Sequence, residues 1–429
     1  MRFLGIGDYN SLGDMYWRLA QDGHDVRVHV AQAEAHCIYA GLLTRVDDWR
    51  EHLAWVRAAG AEGIIVFESA DCGNLADALR LKGYQVVGGS AYGDRLERDR
   101  DFGQTAMRDA GLSTAPTFAF ERFADGIDFL RQAPGKYVFK FSDGVSASTR
   151  NYVGQRADGA DVIALLERER MRNPNQTAFV LMQYVEGIEV GIGAYFDGQK
   201  FLTPACIDWE HKRFFPGDIG ELTGEMGTVV TYDGSTQLFG ATLAKLAEPF
   251  CAARHCGYVN LNTIVNADGV WPLEFTCRFG YPGFAICDAL HRDGWAPILH
   301  AMANRSSNTI ATLRGYSVGV VLTVPPFPYE YGYAELSKGT PIFLAPDFTE
   351  DDRRHLHFGE AEWKDGGYIA SGSLGYLAVV TGRSDDISGA QREAYARVRK
   401  IVVANMRYRN DIGDRLLAHE REQLAAWGF

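Results

Sequence analysis

The sequence has no Cys-x-x-Cys pair, and its seven cysteines, at 37, 72, 206, 251, 256, 277 and 287, are odd in number. Such a set makes a poor disulfide framework and fits reduced thiols in a cytoplasm. No apolar run approaches the ~20 residues of a membrane-spanning helix. The opening MRFLGIGDYN lacks both the cationic start and the long apolar stretch of a secretion signal. Positive charge is also short: the formal net charge of −12 argues against nonspecific nucleic-acid binding, which draws on Lys and Arg neutralising phosphates. Internal repeats, low-complexity tracts, a Walker Gly-Lys-Ser/Thr loop and a Gly-x-Ser-x-Gly elbow are all missing. His355-x-His357 has only the alternation of a strand face, and Cys251 and Cys256 lie on a helix-end pattern, which favours structural roles.

What is present suits an enzyme. The 429 residues are 46% hydrophobic and 23% charged, enough for several compact units with clefts between them. Glycine is abundant at 47 residues, a sign of many tight turns. Strand patterns at 2–6, 25–30, 63–67 and 84–88 alternate with helix patterns at 12–21, 49–59 and 75–82, which predicts a small parallel α/β sheet. A helix over 103–110 stops at Gly111, and from Pro116 the pattern becomes mixed. Strands at 137–141, 178–184, 190–196, 258–265 and 270–275 with helices at 159–170 and 237–253 predict a central α+β module. Strands at 318–322 and 374–380, with the proline-rich 324–328 between them, predict a third, mostly antiparallel unit.

Five stretches carry chemistry. Gly5-x-Gly7, extended to Gly13, is either a plain strand-to-helix turn or a ligand loop, with Asp8 and Asp14 unfavourable to phosphate. Lys140 leaves an apolar strand beside a glycine turn, where an ammonium can reach a nucleotide phosphate or simply sit on the surface. The strand 180–185 runs into the acidic turn Glu186-Gly187-Ile188-Glu189, which can face an adenine edge and ribose hydroxyls or form an ordinary hairpin. Glu210-His211-Lys212-Arg213, followed by Gly217-Asp218 and Thr223-Gly224-Glu225-Met226-Gly227, makes a seat for a carboxylate and its phosphorylated form, with a solvated charge cluster as the alternative. Strand alternation places Glu274, Thr276 and Arg278 on one face. There an oxygen-ligated Mg²⁺ and a phosphoryl-stabilising arginine would fit, unless the Glu and Arg form a buried pair.

In order, these stretches resemble the glycinamide ribonucleotide synthetase family of ATP-grasp ligases over nearly the whole chain. The family's acidic-His-Lys-Arg motif with Thr-Gly-Gly-Met-Gly aligns without a gap on 210–227, and its Glu-Phe-Asn-Cys-Arg-Phe-Gly-Asp-Pro aligns on 274–282. The stretches 317–321 and 408–413 are similar to the family's last domain. The resemblance implies an N-terminal amine-substrate domain over 1–93, an ATP-grasp domain over 94–312 with a lid at about 114–184, and a C-terminal domain over 313–429. It implies ATP and Mg²⁺ (or Mn²⁺) as cofactors. Arg100 and Lys140 would hold ATP, 183–185 (Gln183, Tyr184, Val185) would form the adenine hinge, and Glu189 would serve the ribose. Glu274, with Thr276 and Asn262, would bind the metal, while Arg278, Lys212, Arg213 and Asp218 would serve the chemistry. His211, Thr223, Gly224, Glu225, Met226, Gly7, Asp8 and Glu68 would line the substrate pockets.

Three departures from the family pattern stand out. The lid loop becomes 144–151, so that Ser146, Ser148 and Arg150 would have to hold the phosphates. Thr276 replaces asparagine beside the metal. The loop that receives a ribose phosphate becomes 5–13 and loses its arginine, and the following Gly-Pro-Glu segment becomes 67–72, around Glu68. The expectation is a cytoplasmic carboxylate–amine ligase that forms an acyl phosphate on glycine or a similar small amino acid, joins it to an amine, releases ADP and phosphate, and handles phosphoribosylamine poorly. A ligase of a specialised pathway and a non-catalytic nucleotide-binding homologue are the alternatives.

Overall fold

The computed structural model describes residues 1–142, 151–172 and 178–429. Ser146, Ser148 and Arg150 therefore lie outside the described residues. The N-terminal section is a five-stranded parallel sheet in the order β3-β2-β1-β4-β5. It is formed by β1 (Arg2–Gly7), β2 (Asp25–Val30), β3 (Thr44–Arg45), β4 (Gly63–Phe67) and β5 (Gln85–Val87). Side-chain alternation sends Phe3, Val28, Ile64 and Val66 into one core with Met15 and Leu19 of α1 (Gly13–Gln21). Leu4, Ile6, Ile65 and Phe67 enter a second core on the other face with Trp49, Val56 and Leu79. The expected helix over 49–59 is only a 3₁₀ turn, Trp49–His52, followed by α2 (Leu53–Arg57). Helices α3 (Gly73–Leu81) and α4 (Ala91–Arg98) lead to α5 (Arg100–Asp109), which Asp99 caps by accepting from the Phe102 amide. The cap starts α5 at Arg100, three residues before the expected start.

The next unit is a four-stranded antiparallel sheet in the order β6-β9-β7-β8. It comprises β6 (Thr117–Phe120), β7 (Tyr137–Phe141), β8 (Tyr152–Val153) and β9 (Phe179–Gln183), covered by α6 (Phe123–Gln132) and α7 (Ala160–Arg172). Phe123, Ile127, Phe139, Leu166, Phe179 and Leu181 form its own core, separate from the main one. A unit with a private core can move as a body.

The largest element is an eight-stranded sheet, antiparallel throughout, in the order β16-β15-β10-β11-β14-β17-β22-β19. Five of its strands precede residue 313: β10 (Ile188–Asp197), β11 (Cys206–Glu210), β14 (Gly227–Thr231), β15 (Cys256–Asn266) and β16 (Gly269–Thr276). A small hairpin of β12 (Arg213–Phe215) and β13 (Ile219–Leu222) leaves the sheet between β11 and β14. The other three, β17 (Tyr316–Thr323), β19 (Leu356–Phe358) and β22 (Tyr376–Ser384), come from the expected third unit. That unit therefore shares the central sheet and one hydrophobic core with it. Only β18 (Pro341–Leu344), β20 (Ala361–Lys364), β21 (Gly367–Ala370) and β23 (Ile401–Val402) form a sheet of their own. The expected helix over 237–253 breaks into Thr236–Ala241, Leu243–Leu246 and Ala247–Ala252, with Thr242 outside helical geometry between them. All seven cysteines are free thiols. Among the described residues, no helix is long and apolar enough to cross a membrane.

Candidate active site

One face of the eight-stranded sheet is polar near its β16 edge. Cross-strand register lines up Glu274 of β16, Asn262 of β15, Gly191 of β10 and Asp208 of β11 in a single row. Thr276 lies one step along, opposite Asn260. Paired residues share a face, so these side chains and the neighbouring Glu189 and Glu210 stand together above the sheet. Gly191 is required here: a Cβ at this position would collide with the Asp208 carboxylate.

Three sections of the chain converge on Glu274. Its Oε2 accepts from Nη1 of Arg100, at the start of α5, at 2.9 Å and from Nζ of Lys140, on β7 of the four-stranded sheet, at 3.1 Å. Lys140 first, then Lys212 and Arg100, hold the Glu274 carboxyl well below the ordinary carboxylate range despite its burial. A cavity of about 20 Å³ beside this cluster is lined by Arg100, Lys140, Met182 and Glu274 among others. That is room for about one water. Two larger clefts, of about 1520 and 830 Å³, contain none of the sequence-predicted site residues.

Next to it, Glu189 Oε1 accepts from Lys212 Nζ at 2.7 Å and from Asn262 Nδ2 at 2.7 Å, and Glu210 Oε2 pairs with the same ammonium at 3.0 Å. Burial pushes the Glu189 carboxyl up, but Lys212 and Asn262 outweigh it and hold it low. The turn carrying Thr223 folds back on this lysine: the Thr223 amide and hydroxyl both donate to the Lys212 carbonyl. Gly224 lies under the Tyr376 hydroxyl, the Met226 amide donates to the His211 carbonyl, and the Met226 side chain is buried with Phe214 and Phe327.

At the hinge, the Gln183 amide donates to the Pro116 carbonyl and the Tyr184 amide to that of Lys136. Val185 follows with its amide uncommitted among the described residues.

Other predicted residues lie apart. His211 is buried and accepts the Gly413 amide on Nε2; burial, with Arg415 and Arg409 nearby, pushes its pKa down to about 4. A neutral imidazole inside the protein ties the C-terminal segment to the site through Nε2, and its Nδ1 has no hydrogen-bond partner among the described residues. Arg213 donates to the Gly220 carbonyl within the β12–β13 hairpin. Asp218 accepts from Arg409 at 2.7 Å and Arg415 at 2.9 Å, and the Arg409 side chain is fully buried. Asp218 is thus a tether. Asp218→Asn is expected to lower unfolding stability by about 1–3 kcal/mol through the half-orphaned Arg409, read as a lower urea midpoint, with kcat changed only a few-fold. A hundredfold drop in kcat would return Asp218 to the chemistry. Arg278, beyond the end of β16, pairs with Glu97 of α4 at 3.0 Å and not with Glu274.

The turn after β1 differs from expectation. Glu68 is buried and its Oε2 accepts the Ser11 amide at 2.7 Å, at the entry to α1. A Cβ at Gly7 would collide with that carboxylate. Burial raises the Glu68 pKa to about 7, with Asp8 adding to it. Asp14 does not face this turn: it is buried against Arg18 at 2.7 Å and His357 at 2.7 Å. The same pairing commits Arg18.

Glu210 entered the sequence reading only as the first residue of the 210–213 motif, and Asp208, Glu97 and Tyr376 were not singled out from the sequence. The alternation Asp208-x-Glu210 in a strand facing Gly191 was the available signal for the first two; nothing local marks Glu97 or Tyr376.

Residues 98–284 match the family described as phosphoribosylglycinamide synthetase, ATP-grasp (A) domain. A phosphoribosylamine–glycine ligase of Neisseria meningitidis is 25% identical over 435 residues, covering 97% of this chain and 100% of that protein. One of Pseudomonas aeruginosa is 26% identical over 445 residues, covering 98% and 99%. The crystal structure of the Thermotoga maritima phosphoribosylamine–glycine ligase superposes with a TM-score of 0.72 at 20% identity, covering 96% of this chain and 100% of that one. A Campylobacter jejuni biotin carboxylase superposes at 0.63 with 11% identity, covering 99% and 98%. Fold and matched domain define an ATP-grasp enzyme, a carbon–nitrogen ligase of the ADP-forming kind. Over 97–98% of its length the chain is similar to these phosphoribosylamine–glycine ligases.

Proposed function

We propose that the protein phosphorylates the carboxylate of glycine, or of a similarly small amino acid, with ATP, and couples the acyl phosphate to an amine other than phosphoribosylamine. A carboxylate oxygen attacks the γ-phosphorus and ADP leaves; the amine nitrogen then attacks the acyl carbon, phosphate leaves and the nitrogen gives up a proton. The observation that carries this reading is the meeting of Lys140, Arg100 and Glu274 from three sections of the chain. Two cations and a carboxylate at the edge of a lid are what a triphosphate and its metal need. With nucleotide present, Lys140 and Arg100 turn from Glu274 to phosphate oxygens, and 183–185 face the adenine, with the Val185 amide free to donate.

The residues fit a hard divalent cation, for which we propose Mg²⁺. Glu274, the Asn262 side-chain carbonyl and the Thr276 hydroxyl are oxygen donors on adjacent strands. Among the described residues no three His, Cys, Asp or Glu side chains cluster to hold an ion unaided, which suits a metal that takes the rest of its shell from phosphates and water. When bound, the ion would neutralise charge on the β- and γ-phosphates. Lys212 and Arg278 would meet the charge that develops on the transferring group, and a closed lid would keep water from the acyl phosphate. Free thiols throughout suit a cytoplasmic enzyme.

The test is ATP-dependent hydroxamate formation with hydroxylamine as a universal amine, across a panel of small carboxylates. Absence of both hydroxamate and ADP for every carboxylate sinks the proposal. Lys140→Ala is expected to weaken ATP about ten- to hundredfold, the worth of one charge-assisted contact, with little change in carboxylate affinity. Equal losses for both ligands, in titrations of each, would make Lys140 structural.

A further inference from the structure

Glu225 is a buried carboxylate that nothing in the fold uses. It is 5% exposed, and its Oε1 has no hydrogen-bond partner among the described residues. Its backbone, in contrast, is fixed on both sides: the amide donates to the Tyr376 hydroxyl at 3.1 Å, and that hydroxyl reaches the Glu225 carbonyl at 3.3 Å. The side chain is thus held in place with its functional end unsatisfied. Leaving a polar group buried in that state costs about 1–3 kcal/mol, a cost that a ligand group can remove.

The surroundings say what kind of group. The charged neighbours acting on Glu225 are Glu210 and Asp208 of β11 and Lys212, and the Lys212 ammonium is already shared between Glu189 and Glu210. The Asp208 Oδ1 and the hydroxyls of Thr228 and Tyr281 are also buried without partners. The carboxylates of Glu210 and Asp208 outnumber the one ammonium of Lys212, so the surroundings of Glu225 are negative in balance, and the hydroxyls can turn to donate or accept. Burial, with Glu210 and Asp208 alongside, pushes the Glu225 carboxyl well above the ordinary range; a cation beside it reverses that effect. An ammonium, with three donors and one positive charge, satisfies the pocket, whereas a second carboxylate or a phosphate does not.

We propose that Glu225 determines the specificity of the carboxylate pocket, receiving the protonated amine of an amino-acid substrate. This rests on the ligase reading above and narrows its carboxylate substrates to those carrying a free ammonium. Hydroxy acids and simple carboxylates of the same size are disfavoured.

The decisive comparison is glycine against glycolate, which share the carboxylate and nearly the same shape but differ in ammonium and hydroxyl. Calorimetric titration of the full chain with magnesium and a non-hydrolysable ATP analogue gives both affinities. The wild type is expected to bind glycine at least tenfold more tightly than glycolate, Glu225→Gln to bring the ratio within about threefold, and Glu225→Asp to restore part of it. A glycine preference that survives Glu225→Gln, or a wild type that does not discriminate, overturns the assignment. The wild-type comparison stands even if a variant does not fold. The hydroxamate assay separates this from the parent reading. Hydroxamate formed without any preference for amino acids removes Glu225's role and keeps the ligase. No hydroxamate from any carboxylate removes both.

Discussion

Glu274→Gln is expected to reduce ADP formation by about 10³-fold or more while the protein stays folded. The substitution keeps size and one carbonyl oxygen but removes the charge on which Lys140 and Arg100 converge, at 3.1 and 2.9 Å. In the ligase cycle the same carboxylate would hold a divalent cation that neutralises phosphate charge, with only neutral oxygens of Asn262 and Thr276 beside it. A neutral amide cannot replace it, because the other donors carry no charge to compensate. Glu274 and Arg100 keep 37% and 30% of their side-chain area exposed, so solvent can meet the loss of their contact without unfolding. The measurement is steady-state ADP release at saturating ATP, with circular dichroism and a thermal melt on the same sample. Wild-type release from a folded variant would show that Glu274 serves the lid and not a metal.

Much of this site was legible from residue order alone. Glu189 after an acidic turn and Glu274 in alternation reach the same polar face, because strand period fixes which side chains share a side, and Lys140, at a strand end of the separate four-stranded sheet, meets Glu274 from across. The parallel N-terminal sheet was legible for the same reason: residues 25–30 and 63–67 are strands over the expected spans. Other features were hidden by their long range. Asp14 reads as an anion in a ligand turn until His357, 343 residues away, is found against it. Asp218 and His211 sit within a motif beside Lys212, yet the β12–β13 hairpin and the segment around Arg409 and Gly413 draw them elsewhere. Strand pattern over 318–322 likewise says nothing about which sheet receives it, and it joins the central one. Arg278 was expected on the face of Glu274, but β16 ends at Thr276, and past a strand end the period no longer holds.

Phosphoribosylamine is expected to be a poor amine substrate, with kcat/KM below about 10⁴ M⁻¹s⁻¹, the lower end of ordinary enzymes. The entry to α1 offers backbone amides, and such a place suits a phosphate in principle. Here the Ser11 amide is already taken by the Glu68 carboxylate at 2.7 Å, and Gly7 leaves space that this carboxylate fills. A phosphate arriving there must displace Glu68 or sit beside it, with Asp8 acting on the same carboxyl. At ~5 Å and an effective dielectric of ~20, repulsion costs about 3 kcal/mol per pair of unit charges, roughly a hundredfold in affinity. Rescue by Arg18 is closed as well, since it is buried and committed to Asp14 and Asp288, whereas Arg45 makes only an exposed pair with Asp47. Because burial raises the Glu68 pKa to about 7, the group is ionised above that pH and neutral below it, so discrimination against a phosphorylated amine should sharpen as pH rises through 7. Glu68→Gln removes the charge at every pH and should improve use of phosphoribosylamine and flatten that dependence. The test is ADP release with glycine and freshly generated phosphoribosylamine, for wild type and Glu68→Gln between pH 6 and 8. Wild-type turnover at or above about 10⁴ M⁻¹s⁻¹ would mean that Glu68 moves aside for the phosphate and that the amine pocket takes the same substrate as the relatives' names state.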